Sequence, residues 1–443
     1  MSRIYPDFAY GTGPRAGCFW DTFAADAPGA FPALDGDARA DLCIIGAGFT
    51  GLNAALAAAG SGARVIVLEA QFPGWGASGR NGGFCCLGGG KTSFAALSRA
   101  YGEDAARAYY KAEFSAIDHV REVLSRHRID ADTHSDGETE LAHTPRHMKA
   151  MEAQAARFED LHGLAPRIIP RHELAQVGMR GPFHGAVTIP VGFALNPRKY
   201  VDGLIAAARA AGVAIHGESA VTSLTREGGI WRLDTAKGRV RADKVIVATN
   251  GYSSEHIPEW LAARFLPTQS TVLVTRPITP EEQHSQGWTS RQMSYDSRNL
   301  VHYFRLMPDG RMLFGMRGGV FSSAAAEKRA RAALRRHFRE MFPAWANVDI
   351  EHEWSGMVCL SPKRVPFAGP VPGQPGLYAG FAYHGNGVSM GSHVGDLVGR
   401  LATGAPLELV PEVLRADPGQ FPFGRFRRVI VPALYTALRI ADL

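Results

Sequence analysis

The chain has little cysteine and no long apolar run. Its five cysteines, Cys18, Cys43, Cys85, Cys86 and Cys359, are odd in number and show neither a CxxC pair nor the spacing of a disulfide framework. That excludes a disulfide-stapled secreted scaffold and leads us to expect a reducing compartment, the cytoplasm. No stretch of about 18 apolar residues exists, so no membrane-spanning helix is expected. The opening segment lacks both a basic n-region and an apolar h-region, so a secretory leader is not expected either. Metal-ligand spacing is equally scarce. His143 and His147 stand at i, i+4, but no third ligand accompanies them, and they read as exposed helix residues rather than a metal site. There are no internal repeats and no low-complexity tracts.

What remains is the composition of a globular protein, 46% hydrophobic and 20% charged over 443 residues, long enough for two or three domains. The formal net charge of +6 raises the question of nucleic acid or a membrane surface as partner. The densest basic stretch places Lys328, Arg331, Arg335 and Arg339 on one helical stripe and Leu334, Phe338 and Phe342 on another. This is the solvated face of an amphipathic helix, and no nucleic-acid partner is expected. The end of the chain, residues 411–443, forms a basic amphipathic tail expected to pack on its own protein.

Glycine is in excess, 50 of 443 residues, against a usual share of roughly 7%, and the excess is clustered. Residues 42–45 form a short apolar run of the kind buried on both faces in a parallel sheet. Gly46-Ala47-Gly48-Phe49-Thr50-Gly51 follows, then a small-residue helix over 50–59 and a second buried strand over 65–68, ending on Glu69 and Ala70. Glycines in this turn let the backbone approach a pyrophosphate at the N-terminus of the next helix. Glu69 lies 23 residues after Gly46, where a carboxylate accepts hydrogen bonds from ribose hydroxyls. An adenine dinucleotide is implied, and NAD and FAD share the signature.

A second cluster separates them. Gly74-Trp75-Gly76-Ala77-Ser78-Gly79-Arg80-Asn81-Gly82-Gly83 directly follows the second strand, where a simple NAD domain has an ordinary crossover helix. Five glycines in ten residues, with Ala77, Ser78, Arg80 and Asn81, suit a backbone laid along an extended cofactor. A third loop, with Gly385, Asn386, Gly387, Val388 and Ser389, lies between a strand and a helix. Too little chain follows for a second nucleotide-binding half, so this helix start is assigned to the flavin ring, whose reduced form is negative.

These motifs resemble the D-amino-acid-oxidase-type flavoprotein superfamily. The stretches GASGRNGG and FAYHGNGV are most similar to its gamma-glutamylputrescine oxidase-like branch, and the likeness runs from Asp41 to Gly404. It implies an α/β fold: a discontinuous Rossmann-like FAD-binding domain (38–96, 190–252 and 356–410) with an inserted α+β substrate domain (97–189 and 253–355), after a lead-in over 1–37. It implies oxidation of a C–N bond of an amine by hydride transfer to flavin N5, hydrolysis of the imine, and reoxidation by O2 or another acceptor. It also places Val221 near the adenine and Tyr303 near the substrate. Arg305, on the same face of the strand as Tyr303, and His384, beside the third loop, complete the substrate-handling candidates. Three departures qualify the likeness. Val358 stands where glycine and D-amino-acid oxidases carry a carboxylate-clamping arginine, which turns the expectation away from free α-amino acids. Gly356 stands at the covalent attachment position of sarcosine oxidases, so FAD is expected to be non-covalent. No lysine occurs between Lys244 and Lys328, where several such oxidases keep one above the flavin. A dehydrogenase passing electrons to a quinone or carrier protein remains an alternative to an oxidase, with a tRNA-modifying flavoprotein of the same superfamily as the third.

Overall fold

The computed structural model describes residues 3–25, 30–90, 92–319, 322–407 and 410–442. Short runs that are apolar on both faces become the interior of a largely parallel sheet, as their pattern requires. Its strand order is Phe367–Pro370, Leu377–Phe381, Gly238–Val247, Gly36–Ile45, Val65–Leu68 and Ala214–His216, with Ser223–Glu227 and Ile230–Asp234 added as an antiparallel flap on Gly238–Val247. The first strand begins at Gly36, earlier than its apolar run, because its outer half pairs in register with Gly238–Val247.

One face of this sheet carries the helices Phe49–Gly60, Glu103–Arg126, Pro197–Ala210 and Ser389–Thr403, which share a single core with Leu42, Ile44, Val65 and Val67. Small residues let two of them approach closely. A side chain at Gly395 would collide with the Thr50 carbonyl, and one at Gly399 would sit 2.6 Å from the Ala54 carbonyl. The opposite face buries Cys43, Ile45, Ile66 and Leu68 under the flap and under Ile4, Tyr5 and Tyr10 of the lead-in.

The second sheet has the order Ile350–Leu360, Leu266–Pro277, Arg311–Gly319, His302–Leu306, Met293–Asp296, Glu138–Leu141, Gly185–Ile189 and Arg167–Pro170. Strand alternation sorts its side chains. Phe304, Leu306, Met312, Phe314 and Met316 pack with Leu334, Phe338 and Phe342 from the helix Ala324–Met341 and the turn after it. The basic stripe of that helix is turned outward, and two of its members are paired, Arg331 with Glu327 and Arg335 with Glu353.

The sheets correct the expected boundaries in two places. Helices Phe94–Tyr101 and Glu103–Arg126 belong to the first domain, because the stripe Ala116, Ile117, Val120 and Val123 packs in its helical layer. Residues 356–360 belong to the second sheet, because Leu360 back to His352 pairs in unbroken register with Leu266–Val274, the one shift falling between Val274 and Thr275. His143 is also corrected. It is buried, lies before the helix Pro145–His162 and bonds Ser297 Oγ through Nδ1 at 2.8 Å. The tail forms the helix Val431–Ala441, with Val431 and Tyr435 packed on Leu266.

The closest helix contact is the least tolerant of added volume. Gly395→Val is expected to cost about 2–3 kcal/mol through overpacking, and thermal unfolding of the purified protein measures it.

Candidate active site

The loop over 74–83 is held from three directions. Trp354 Nε1 donates to the Arg80 carbonyl at 2.7 Å, Trp20 Nε1 to the Asn81 carbonyl at 2.8 Å, and Arg305 Nε to the Gly82 carbonyl at 3.0 Å. From inside, Asn81 turns back on its own loop, accepting from Gly83 N at 2.8 Å and donating to the Ser78 carbonyl at 2.9 Å. Arg80 is buried. It donates to the carbonyls of Trp75 and Ser355 and stacks 4.3 Å over the Trp75 ring.

At the first glycine turn, Gly46 has φ +104, and a side chain there would meet the Ala248 carbonyl at 2.9 Å. Glu69 spans the turn: its carboxylate accepts from Ala47 N at 2.9 Å and Gln71 N at 3.1 Å. Burial raises its pKa, and these donors pull it back down. Ser78 Oγ accepts from Phe49 N at 2.9 Å, which ties the second loop to the start of the helix Phe49–Gly60. The third loop is braced by Arg317, which donates to the His384 carbonyl, and by Asn386, whose Nδ2 donates to the Gly88 carbonyl at 2.8 Å.

The three loops open onto one cavity of about 970 Å³ between the two sheets. Gly46, Gly48, Phe49, Thr50, Glu69 and Ala70 line it, as do Ala77, Ser78, Arg80, Asn81, Gly82 and Val221. Gly385, Asn386, Gly387, Val388, Tyr303 and His384 line it too. Gly51, Gly83, Ser389 and Arg305 do not. Gly51 closes the helix onto the strand, since a side chain there would collide with the Gly46 carbonyl, and Gly83 is packed in the same way against Leu195. Ser389 turns its hydroxyl to the Cys86 carbonyl.

Arg305 is the main correction. Its guanidinium is spent on the carbonyls of Gly82 and Leu195 and on His134 Nε2, so it braces the loop and has no free edge for a substrate. Burial lowers its pKa to about 9 and, with Arg305 adjacent, lowers that of His134 to about 4, which leaves the imidazole neutral and accepting. His384 is likewise a buried neutral imidazole, lowered to about 3 by burial and by Arg317, with Nε2 accepting from Ser361 N at 3.3 Å.

The cavity also has residues that motif reading passed over. Cross-sheet register puts Glu140, Tyr295, Tyr303 and Gly315 in one row. Arg317 lies two residues beyond Gly315 on the same strand face, opposite Ser270. Tyr303 shares a 2.9 Å hydrogen bond with Ser270 Oγ. At the far end Glu138 and Glu113 are buried, and burial raises each carboxyl to about 8. Among the described residues neither carries a salt-bridge partner. Glu138 accepts from Leu87 N at 3.1 Å. Beside them Tyr110, Phe114, Phe158 and His162 form a contiguous ring cluster that also lines the cavity. Glu113 could have been found from sequence: it interrupts the apolar stripe Tyr109, Ala112, Ala116, Val120 of its helix. Arg317 carries no comparable pattern. Among the described residues no group of three His, Cys, Asp or Glu side chains could hold a metal.

The cradle fits FAD. Arg80 Nη2 is buried with no partner, and it lies in the wall between the second loop and Gly356. Gly356 offers no nucleophile, and the Cys359 thiol is raised to about 12 by burial. A family model described as FAD dependent oxidoreductase, DAO, matches residues 41–401. A probable oxidoreductase OrdL of Rhizobium meliloti is 30% identical over 86% of this chain and 86% of its own. Gamma-glutamylputrescine oxidoreductase of Escherichia coli is 28% identical over 92% of this chain and 93% of its own. Among solved structures, glycine oxidase from Geobacillus kaustophilus superposes with a TM-score of 0.69 at 20% identity, over 86% of this chain and all of that one.

Two substitutions test the cradle. Arg305→Met leaves the Gly82 and Leu195 carbonyls without a donor, a loss of about 2–3 kcal/mol. It should lower the unfolding temperature and the flavin content of the purified protein, with little change in the KM of the flavin-loaded fraction. Glu69→Gln keeps an acceptor for Ala47 N but removes the charge toward a ribose, roughly 1 kcal/mol. FAD titration of the apoprotein should then show about fivefold weaker binding.

Proposed function

The chain belongs to the DAO family of FAD-dependent oxidoreductases, and from that premise we propose that it oxidises a C–N bond of an amine. The favoured substrates are secondary amines, or primary amines at the end of a longer, gamma-glutamyl-type chain. The observation that carries this reading is the acidic end of the cavity: two buried carboxyls, Glu113 and Glu138, beside aromatic rings. Carboxylates and ring faces are the groups that hold an ammonium. The relative named gamma-glutamylputrescine oxidoreductase supports the same substrate class.

Bound FAD supplies the hydride acceptor, flavin N5. The remaining work falls to side chains. Gly82 comes within van der Waals reach of the Tyr303 ring, so Tyr303 borders the flavin loop and shapes the position of the reacting carbon. Two strands away, about 10 Å at the usual strand spacing, the acidic end receives the distal group of the substrate. Arg317, one strand to the other side, supplies the only positive charge of the row and can meet an anionic group. Val358, which lines the cavity from the edge strand Ile350–Leu360 beyond Arg317, offers only apolar contact. An elongated amine with a charged far end matches this polarity better than glycine does.

The raised carboxyls set a pH dependence. Below their pKa of about 8 they are mostly neutral, and binding a cation requires giving up the proton. The advantage of a diamine over a monoamine of equal length should therefore grow from pH 6.5 to 8.5, by up to about 25-fold per carboxyl. Glu138→Gln should flatten it.

Anaerobic flavin bleaching across an amine panel, followed by assay for hydrogen peroxide on readmitting air, tests the whole reading. Rapid bleaching by aminoalkyl amides and diamines is expected, with peroxide formed. Bleaching by glycine and D-alanine alone would overturn the substrate class, and bleaching without peroxide would assign the electrons to a carrier instead of oxygen.

A further inference from the structure

Residues 423–442 carry apolar side chains of two kinds, an inner row held to the body and an outer, exposed set. The inner row holds the segment to the body: Arg427 donates to the Phe265 carbonyl at 2.7 Å and pairs with Glu255 at 2.6 Å, and Val431 and Tyr435 pack on Leu266. At its end Asp442 accepts from the backbone of Asn299 at 2.7 Å and of Leu300 at 3.0 Å. The outer row has no cover. Among the described residues, every large apolar side chain more than half exposed lies here: Phe423 at 66%, Phe426 at 57%, Val429 at 60% and Ile440 at 65%, with Leu434 at 48% between them. A concentration of this kind on a fixed, folded element marks an interaction face.

The charges around the row indicate what covers it. Residues 418–441 contain no aspartate or glutamate. Arg425, Arg428 and Arg439 are exposed beside the apolar row, and Arg425 lies 4.7 Å over the Phe426 ring. A two-fold contact with a second copy of this chain would bring like arginines together. Apolar side chains flanked by arginines and free of acids complement an anionic lipid surface. No helix among the described residues is long and apolar enough to cross a membrane, so contact would be in the interface plane.

We propose that residues 423–440 dock the protein on the surface of an anionic bilayer. Docking brings the cavity with it. Asn299 is exposed and also lines the cavity, so it stands at the mouth, and Asp442 fixes the end of the tail to it. The bilayer would then border the cavity entrance. This inference does not depend on the substrate reading.

Flotation of the full-length flavin-loaded protein with phosphatidylcholine vesicles, with and without phosphatidylglycerol, tests it. Partition should be about tenfold or more stronger on the anionic vesicles and should fall with added salt. The pairs Phe426→Ser with Ile440→Ser, and Arg425→Ser with Arg439→Ser, should each weaken it about tenfold, with flavin content and turnover of soluble substrate unchanged. Absence of binding to anionic vesicles, or binding that survives both pairs, would overturn the proposal. So would a concentration-dependent dimer, seen by sedimentation velocity, that the Phe426→Ser and Ile440→Ser pair abolishes while lipid binding is absent.

Discussion

The geometry of the site depends on one loop with three successive carbonyls claimed from outside it. Successive carbonyls at Arg80, Asn81 and Gly82 receive hydrogen bonds from Trp354, Trp20 and Arg305. These donors come from the second sheet and from the lead-in, so the loop is where the two domains and the N-terminal segment are fastened together. Each buried carbonyl left without its donor costs on the order of 1–3 kcal/mol, and none of the three can leave without stranding its partner. The loop is glycine-rich because Tyr303 and the Leu195 carbonyl press on Gly82 and Gly83. A cofactor-facing backbone is thereby held rigid by Trp354, Trp20 and Arg305, which do not line the cavity.

The same second sheet supplies the cavity with its polarity. One face of its strands packs on aromatic side chains, and the other presents Arg317, Tyr303, Tyr295, Glu140 and Glu138 in sequence across neighbouring strands. Tyrosines separate the cation from the acids, so the charges are not consumed by one another. Burial of carboxyls without a cation is unfavourable for their charged form, and the raised pKa values of Glu113 and Glu138 record that cost. Such a wall is a poor contributor to stability and a good receiver of an ammonium.

Much of this was readable from the chain. The strand, glycine turn, helix and second strand around Gly46 and Glu69 are local patterns with periods of two and 3.6 residues, and they lie where those periods put them. The helix with Leu334 and Phe338 inward was equally local. Arg305 was misplaced for a definite reason. Alternation put it on the same face as Tyr303, which is correct, but alternation says nothing about what already occupies that face. The Gly82 loop lies over it, and that contact spans 223 residues of sequence.

The sequence by itself determined the dinucleotide cradle, since glycine turns, buried strands and a terminal carboxylate act over neighbouring residues through sterics and hydrogen bonding. It also determined the basic character of the tail, which is free of acids over 418–441. Only the tertiary structure decided which charges face the cavity. Glu113 comes from the helix Glu103–Arg126, Glu138 and Arg317 from separate strands of the second sheet. Register across that sheet aligns the strands, and the packing of the helix adds Glu113 to the same cavity. A side chain's burial, and therefore its charge at neutral pH, depends on neighbours distant in the chain, and no local pattern encodes them.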